Sequence, residues 1–329
     1  MFRAILLQRA EDKSTLASLD TLDEAQLPDR DVSIAVEWST LNFKDGLALT
    51  GRGAVVRQWP LVPGIDLAGT VTASRDPRWQ PGQRVVVTGW GLGESYWGGL
   101  SEQARVDAGW ALELPASMST RDAMSLGTAG FTAALCVMAL RDKHGLKPGD
   151  GEVLVTGSAG GVGSIAIALL GSLGYRVIAS TGRPQERDYL VELGAADILD
   201  RNTLSAAGKP LQAERWAAVV DTVGSHTLAN ACAQTRFHGA VAACGLAQGG
   251  DFPSTVMPFI LRGVTLYGIN SVLTPNDERQ RAWQLLADHV SRDQLARMTQ
   301  EIALSEAIAF APNVIDGKVR GRTVVDVQR

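Results

Sequence analysis

The chain has 329 residues, 45 % of them apolar and 20 % charged, with a formal net charge of −4. That length predicts two domains, and the composition predicts an ordinary globular core. The charge balance excludes broad binding to nucleic acid or to an anionic membrane surface, both of which take a basic excess. No stretch approaches about 18 uninterrupted apolar residues, so no membrane span is expected. The N-terminal apolar run is too short for the core of a secretory signal.

The first ~120 residues read as short strands. "VSIAVEWSTLN" alternates, with Val32, Ile34 and Val36 on one side, and "GTVTAS", "QRVVVTG" and "SEQARV" follow. Pro63-Gly64, Pro77, Pro81-Gly82 and Gly98-Gly99 punctuate them, a pattern that predicts a small β-barrel. From Met118 the period changes, and "TRDAMSLGTAGFTAALCVMALRDKHGL" reads as one long helix. Six strands then alternate with helices: "EVLVT" (152–156), "YRVIAS" (175–180), "ADILD" (196–200), "WAAVVD" (216–221), "GAVAAC" (239–244) and "VTLYGI" (264–269). Alternation of this kind predicts a doubly wound parallel sheet with helices on both faces. The final "GRTVVDV" reads as a strand returning to the first domain, which makes the expected division 1–122 with 300–329, and 123–299. Three cysteines, Cys136, Cys232 and Cys244, show no C-x-x-C spacing; Cys136 and Cys244 lie in apolar runs and read as buried free thiols of a reducing, cytoplasmic compartment.

One loop carries a ligand signal. "GSAGGVGS", Gly157 to Ser164, follows the strand "EVLVT" and opens a helix. Small residues at Gly160, Gly161, Val162 and Gly163 let backbone N–H groups approach a pyrophosphate at the positive end of the helix dipole. A dinucleotide site that takes NAD places a carboxylate at the end of the second strand, against the ribose 2′-hydroxyl. Here that strand ends Ser180, Thr181, Gly182, Arg183. A guanidinium suits a 2′-phosphate, and the two hydroxyls donate to it, so NADPH is the expected cofactor. Arg201, after the third strand, either stacks on adenine or reaches the same phosphate.

A barrel domain followed by such a nucleotide domain resembles the medium-chain dehydrogenase/reductase superfamily, with a GroES-like first domain and a Rossmann second one. Its zinc alcohol dehydrogenases carry a Pro-Gly-His-Glu turn and an upstream ligand cysteine. This chain has Ile65-Asp66 in that turn, no cysteine before Cys136 and no histidine in the first domain, so no metal is expected. "STLNFKDGLALTG", "GWGLGESYWGGLSEQARV", "GTAGFTAALCVMAL", "DTVG", "ACGLA" and "VMPFILRGV" together resemble the acrylyl-CoA reductase family, long labelled putative quinone oxidoreductases.

The resemblance implies NADPH-dependent reduction of the conjugated C=C of acryloyl-CoA, with an NADPH quinone or enal reductase as the alternative and a non-catalytic NADPH sensor as a further one. It implies nicotinamide contacts for Leu246 and Ser271 and a homodimer formed through the edge of the sixth strand. Thr132, in "GTAGFT", is placed to orient the nicotinamide, with Thr128 either beside it or capping a helix. Where the family pattern is Asn-Tyr-Lys-Asp, the chain has Asn42-Phe43-Lys44-Asp45, which removes a tyrosine proton donor. Asn42 and Lys44 are then expected to donate to the substrate oxygen or cofactor phosphate, with Asp45 orienting Lys44 and Tyr96 as an alternative acid. Arg52, Arg57 and Arg322 are candidate cations for the phosphates of CoA, the acyl carrier.

Overall fold

A computed structural model describes all 329 residues. In chain order the strands are β1 (Phe2–Arg9), β2 (Thr15–Leu22), β3 (Val32–Leu41), β4 (Asp66–Ser74), β5 (Arg84–Thr88), β6 (Gln103–Val106), β7 (Leu112–Glu113), β8 (Glu152–Val155), β9 (Arg176–Thr181), β10 (Ala195–Asp200), β11 (Trp216–Asp221), β12 (Thr235–Ala243), β13 (Thr265–Gly268), β14 (Thr299–Ala303) and β15 (Arg322–Asp326). The helices that bear on the site are α1 (Phe43–Thr50), α2 (Thr120–Met138) and α3 (Gly161–Ser172). The chain forms two compact units, one of Met1–Thr128, Val272–Gln280 and Met298–Arg329, the other of Ala129–Ser271 and Arg281–Arg297. The segment Val272–Gln280, expected with the nucleotide domain, joins the first unit.

The first unit is built on a mixed sheet of order β14-β15-β3-β4-β5-β7, with β6 also paired to β3. Alternation in β3 buries Val32, Ile34 and Val36, which share a core with Leu67, Val85 and Leu92. The C-terminal β15 pairs antiparallel with β3, Thr323 opposite Leu41. Four strands here are absent from the sequence reading: β1 and β2, which form a hairpin, β7, which pairs with β5, and β14, which pairs parallel with β15.

The predicted single helix from Thr120 onward is broken. Gly127 takes φ 52°, ψ −154°, a backbone conformation that costs any other residue. A Cβ there would stand 2.6 Å from Asp66 Oδ2 and 2.9 Å from Arg322 Nη2, so the glycine leaves room for these two charged side chains. The whole run Thr120–Lys143 is long and apolar enough to cross a membrane by length and composition, but 94 % of its most apolar window is buried inside the protein. A core helix of a globular protein accounts for that burial.

The second unit carries the expected parallel sheet, in the order β10-β9-β8-β11-β12-β13. Counting its strands from β8 as one, this is 3-2-1-4-5-6, the doubly wound dinucleotide order. Covered on both faces, its central strands are continuous apolar runs, and all six residues of β11 are buried. The observed start of β12 is Thr235 rather than Gly239, because a register shift against β11 loops out the residues between the pairs Trp216–Thr235 and Ala218–Ala240.

Candidate active site and cofactor site

In the second unit the order reverses between β8 and β11, and the carboxyl ends of these two strands are laced together. Thr156 Oγ1 donates to Asp221 Oδ1 at 2.7 Å, Thr222 N donates back to Thr156 Oγ1 at 3.0 Å, and Asp221 Oδ2 accepts from Gly224 N at 2.8 Å. Burial pushes the Asp221 carboxyl above its usual range, while these donors oppose the shift. The "DTVG" segment is thus a brace for the strand ends.

The glycine loop sits at this switch point. Gly157 has φ 59°, and a Cβ on Gly163 would stand 2.4 Å from Gly157 O and 2.7 Å from Ser158 Cα. Gly160 caps α3 with extended backbone and no side chain, so the first-turn N–H groups of Gly161, Val162 and Gly163 are not covered by a cap. At the end of β9, Ser180 and Thr181 are buried, and Thr181 Oγ1 accepts from Arg183 N at 3.1 Å. Arg183 Nη2 donates to Ala159 O at 3.2 Å, which ties it to the glycine loop. Arg201 lies across the backbone of Gly182. No carboxylate stands at the end of β9, so this cradle suits a pyrophosphate and a 2′-phosphorylated ribose. On the same unit Thr132 is buried, Leu246 is 65 % exposed just after β12, and Ser271 is half-buried after β13. Cys136 and Cys232 are buried and Cys244 is half-buried, correcting its expected full burial; its Sγ reaches Asp221 O at 3.4 Å.

The first unit holds a buried polar group built around Asp66, at the start of β4. Asp66 accepts from Thr128 N at 2.8 Å, from Thr128 Oγ1, and from Asn42 Nδ2 at 2.9 Å. Asn42 precedes α1, and the same Nδ2 also donates to Asp45 Oδ2 at 3.1 Å. Asp45 further accepts from Asn42 N at 2.8 Å and from Ile65 N at 2.9 Å. Two carboxylates therefore consume the amide nitrogen of Asn42 and leave its Oδ1 as the group available to a ligand. This corrects the expectation that Asn42 donates: it can only accept. Asp45 orients Asn42, not Lys44.

The charges in this group balance. Arg322 is 4 % exposed; its Nε donates to Ser125 O at 3.1 Å and its Nη2 to Thr40 Oγ1 at 2.9 Å. Arg279 is fully buried, with Nη1 on Thr88 O at 2.8 Å and its guanidinium 4.4 Å from the centre of the Trp90 ring. Burial pushes the Asp45 carboxyl up to about 7, and the neighbouring Asp66 charge adds to it. Burial raises Asp66 too, opposed by the Thr128 donors, Arg322 and Asn42. Burial lowers Arg279 to about 10 and also lowers Arg322, with Asp66 acting the other way on both.

The remaining candidates lie elsewhere on the first unit. Lys44 Nζ pairs with Glu94 Oε1 at 2.7 Å. The Tyr96 ring packs 4.9 Å from that of Trp110, with Arg30 over both, and is partly exposed. Phe43 is half-exposed. Arg52 pairs with Asp316 at 3.0 Å, and Lys318 reaches the same carboxylate at 3.1 Å. Arg57 is exposed. Arg322, expected at a CoA phosphate, faces inward as the counter-charge of the two aspartates, which corrects that assignment. The sequence carried no signal for Arg279, and Thr128 stood only as an alternative; both become legible once Asp66 is known to be buried.

Residues 28–116 match the alcohol dehydrogenase GroES-like domain family and residues 161–288 the zinc-binding dehydrogenase family. The chain is 51 % identical over 325 residues to the probable acrylyl-CoA reductase AcuI of Escherichia coli, covering 99 % of each. It is 49 % identical over 329 residues to the acrylyl-CoA reductase AcuI of Ruegeria pomeroyi, again covering 99 % of each. Among solved structures it is similar to the yhdH oxidoreductase of Salmonella enterica in complex with NADP, with a TM-score of 0.96, 51 % identity and 99 % of each chain covered. The zinc in the second family's description does not suit the residues present: no group of three or more His, Cys, Asp or Glu side chains is arranged to hold a metal ion, and Asp45 and Asp66 are committed to internal donors. With its two domain families and near-half identity along its whole length, the chain belongs to the acrylyl-CoA reductase family of the medium-chain dehydrogenase/reductase superfamily.

Proposed function

We propose that the protein is an NADPH-dependent reductase of a short enoyl-CoA thioester, acryloyl-CoA above all, giving propanoyl-CoA. The observation that carries this reading is the full-length likeness to two acrylyl-CoA reductases, joined to a nucleotide cradle with cations and no carboxylate at its ribose end. The first-turn N–H groups of α3 hold the pyrophosphate, and Ser180, Thr181, Arg183 and Arg201 hold the 2′-phosphate. When bound, NADPH supplies the hydride that adds to the β-carbon of the conjugated alkene.

The chain's own contribution is positioning. Asp45 and Asp66 fix the Asn42 amide in one orientation, with Oδ1 as an acceptor. Asn42 then orients a hydroxyl, a water molecule or an amide N–H of the bound ligands, and does not stabilise negative charge on the thioester oxygen. Phe43 supplies no proton, so the proton for the α-carbon comes from a hydroxyl or water, which Asn42 Oδ1 is suited to hold. Thr132, Leu246 and Ser271 serve the nicotinamide end. Arg57 is the cation best placed to meet a CoA phosphate, because it is exposed and makes no ion pair; Arg52 must first release Asp316. A homodimer through the open edge of β13 and a cytoplasmic setting, which suits three free thiols, complete the reading.

Steady-state rates with acryloyl-CoA, crotonyl-CoA and a benzoquinone, each with NADPH and NADH, test it. Preference for the thioesters with NADPH supports the proposal. Preference for the quinone moves the chain to the quinone reductase alternative, and no turnover with any acceptor moves it to the sensor alternative.

A further inference from the structure

Arg201 opens the turn after β10, where its carbonyl accepts from Leu204 N at 3.0 Å; its exposed side chain forms no ion pair and no hydrogen bond. The adjacent Asp200 is not its partner: that carboxylate accepts from Asn202 N at 2.9 Å. A long cation without a partner ordinarily has many rotamers, which must be lost when it binds a ligand. What confines this one is Gly182. A Cβ on Gly182 would stand 2.3 Å from Arg201 Nε, 2.6 Å from Cδ and 2.7 Å from Cζ, so the guanidinium end lies directly on the glycine backbone. The neighbouring Arg183 is held from the other side, by Ala159 O of the glycine loop.

We infer that Gly182 is a specificity-determining position for the cofactor, acting as a seat that holds Arg201 beside Arg183 so that two guanidiniums flank one phosphomonoester. The inference rests on the NADPH reading above and adds a cause for it. Gly182 touches no phosphate itself; it is a positioning residue. Its backbone φ is not in the left-handed region, and the atoms a methyl would strike are the far end of a flexible side chain. An alanine at 182 is therefore accommodated by swinging Arg201 away, with the fold intact. The adenosine, pyrophosphate and nicotinamide parts of the cofactor are untouched by that swing, so affinity for NAD is preserved.

The test is isothermal titration calorimetry of NADP⁺ and NAD⁺ with the wild-type protein and with Gly182→Ala, Arg201→Ala and the double variant, alongside thermal melting. Loss of one charge-assisted phosphate contact predicts about a tenfold weaker NADP⁺ Kd in each single variant. The double variant is expected to be no weaker than Arg201→Ala alone, because both changes remove the same contact. NAD⁺ affinity and melting temperature stay as in the wild type. The seat is overturned if Gly182→Ala binds NADP⁺ normally while Arg201→Ala does not, if Gly182→Ala weakens NAD⁺ equally, or if the two effects add. A wild-type protein that binds NAD⁺ as tightly as NADP⁺ overturns instead the NADPH reading beneath it.

Discussion

Replacing Arg322 by methionine distinguishes a buried counter-charge from a phosphate ligand. In the structure the guanidinium is bonded to Ser125 O and Thr40 Oγ1, and it shares with Asp66 the space a Gly127 side chain would need. Methionine keeps much of the volume and removes the charge. The guanidinium makes no direct ion pair with Asp66, but the two buried charges act on each other; removing one of two opposite buried charges leaves the other less compensated and costs about 3–5 kcal/mol at most. At roughly 2–4 °C per kcal/mol for a domain of this size, the melting temperature falls by about 6–20 °C at most. The loss has a pH signature. Arg322 opposes the upward shift of Asp66, so without it that carboxyl rises further. An acid whose folded-state pKa is raised destabilises the fold as pH rises through the range between its unfolded and folded values. The deficit of Arg322→Met is therefore larger in mildly alkaline buffer than in mildly acidic buffer. Scanning calorimetry across pH, together with KM for acryloyl-CoA on the folded fraction, measures both effects. An unchanged melting temperature with KM raised tenfold or more would refute the counter-charge and restore Arg322 as a phosphate contact.

Asp45→Asn removes a carboxyl that burial pushes from 3.8 to about 7. The native state holds that proton more tightly than the unfolded chain, so the stability it confers is fully present in acid and is lost as pH rises towards about 7. The melting-temperature advantage of the wild type over Asp45→Asn shrinks between about pH 5 and pH 8, and a gap that widens contradicts the buried placement. Gly163→Ala forces a methyl against Gly157 O and Ser158 Cα, neither of which can move freely, so NADP⁺ binding measured by calorimetry falls at least about tenfold; normal binding means the loop is not the cradle. Arg57→Ala raises KM for acryloyl-CoA with little effect on kcat or melting temperature, and leaves quinone reduction untouched. An equal effect on both acceptors removes Arg57 from the CoA site.

The nucleotide half was legible because its signals are local. Strand, glycine loop and helix are contiguous, and the strand ending Ser180-Thr181-Gly182-Arg183 states its preference for phosphate in four residues. The seat under Arg201 was not, since it depends on two residues from neighbouring strands meeting. The other half was misread for the same reason. "NFKDG" places Asn42, Lys44 and Asp45 side by side in sequence, which suggested that the carboxylate serves the lysine. On the helix Lys44 instead turns outward to Glu94, while Asp45 turns inward to Asn42 and the backbone of Ile65. Arg322 looked like part of a basic surface run, but it occupies the first position of β15, where the strand carries it into the core. The kink at Gly127 was hidden inside an unbroken helical pattern, because the glycine answers to Asp66, which lies on another element.

The central claim is hydride addition from NADPH to the β-carbon of an enoyl thioester, with the α-hydrogen coming from solvent. Incubating the protein with acryloyl-CoA and NADPH deuterated at the transferable position, in ordinary water, tests it directly. The account predicts propanoyl-CoA carrying a single deuterium on its terminal carbon and a solvent hydrogen on the carbon next to the carbonyl. Unlabelled product, label next to the carbonyl, or no propanoyl-CoA while a quinone is reduced would contradict it.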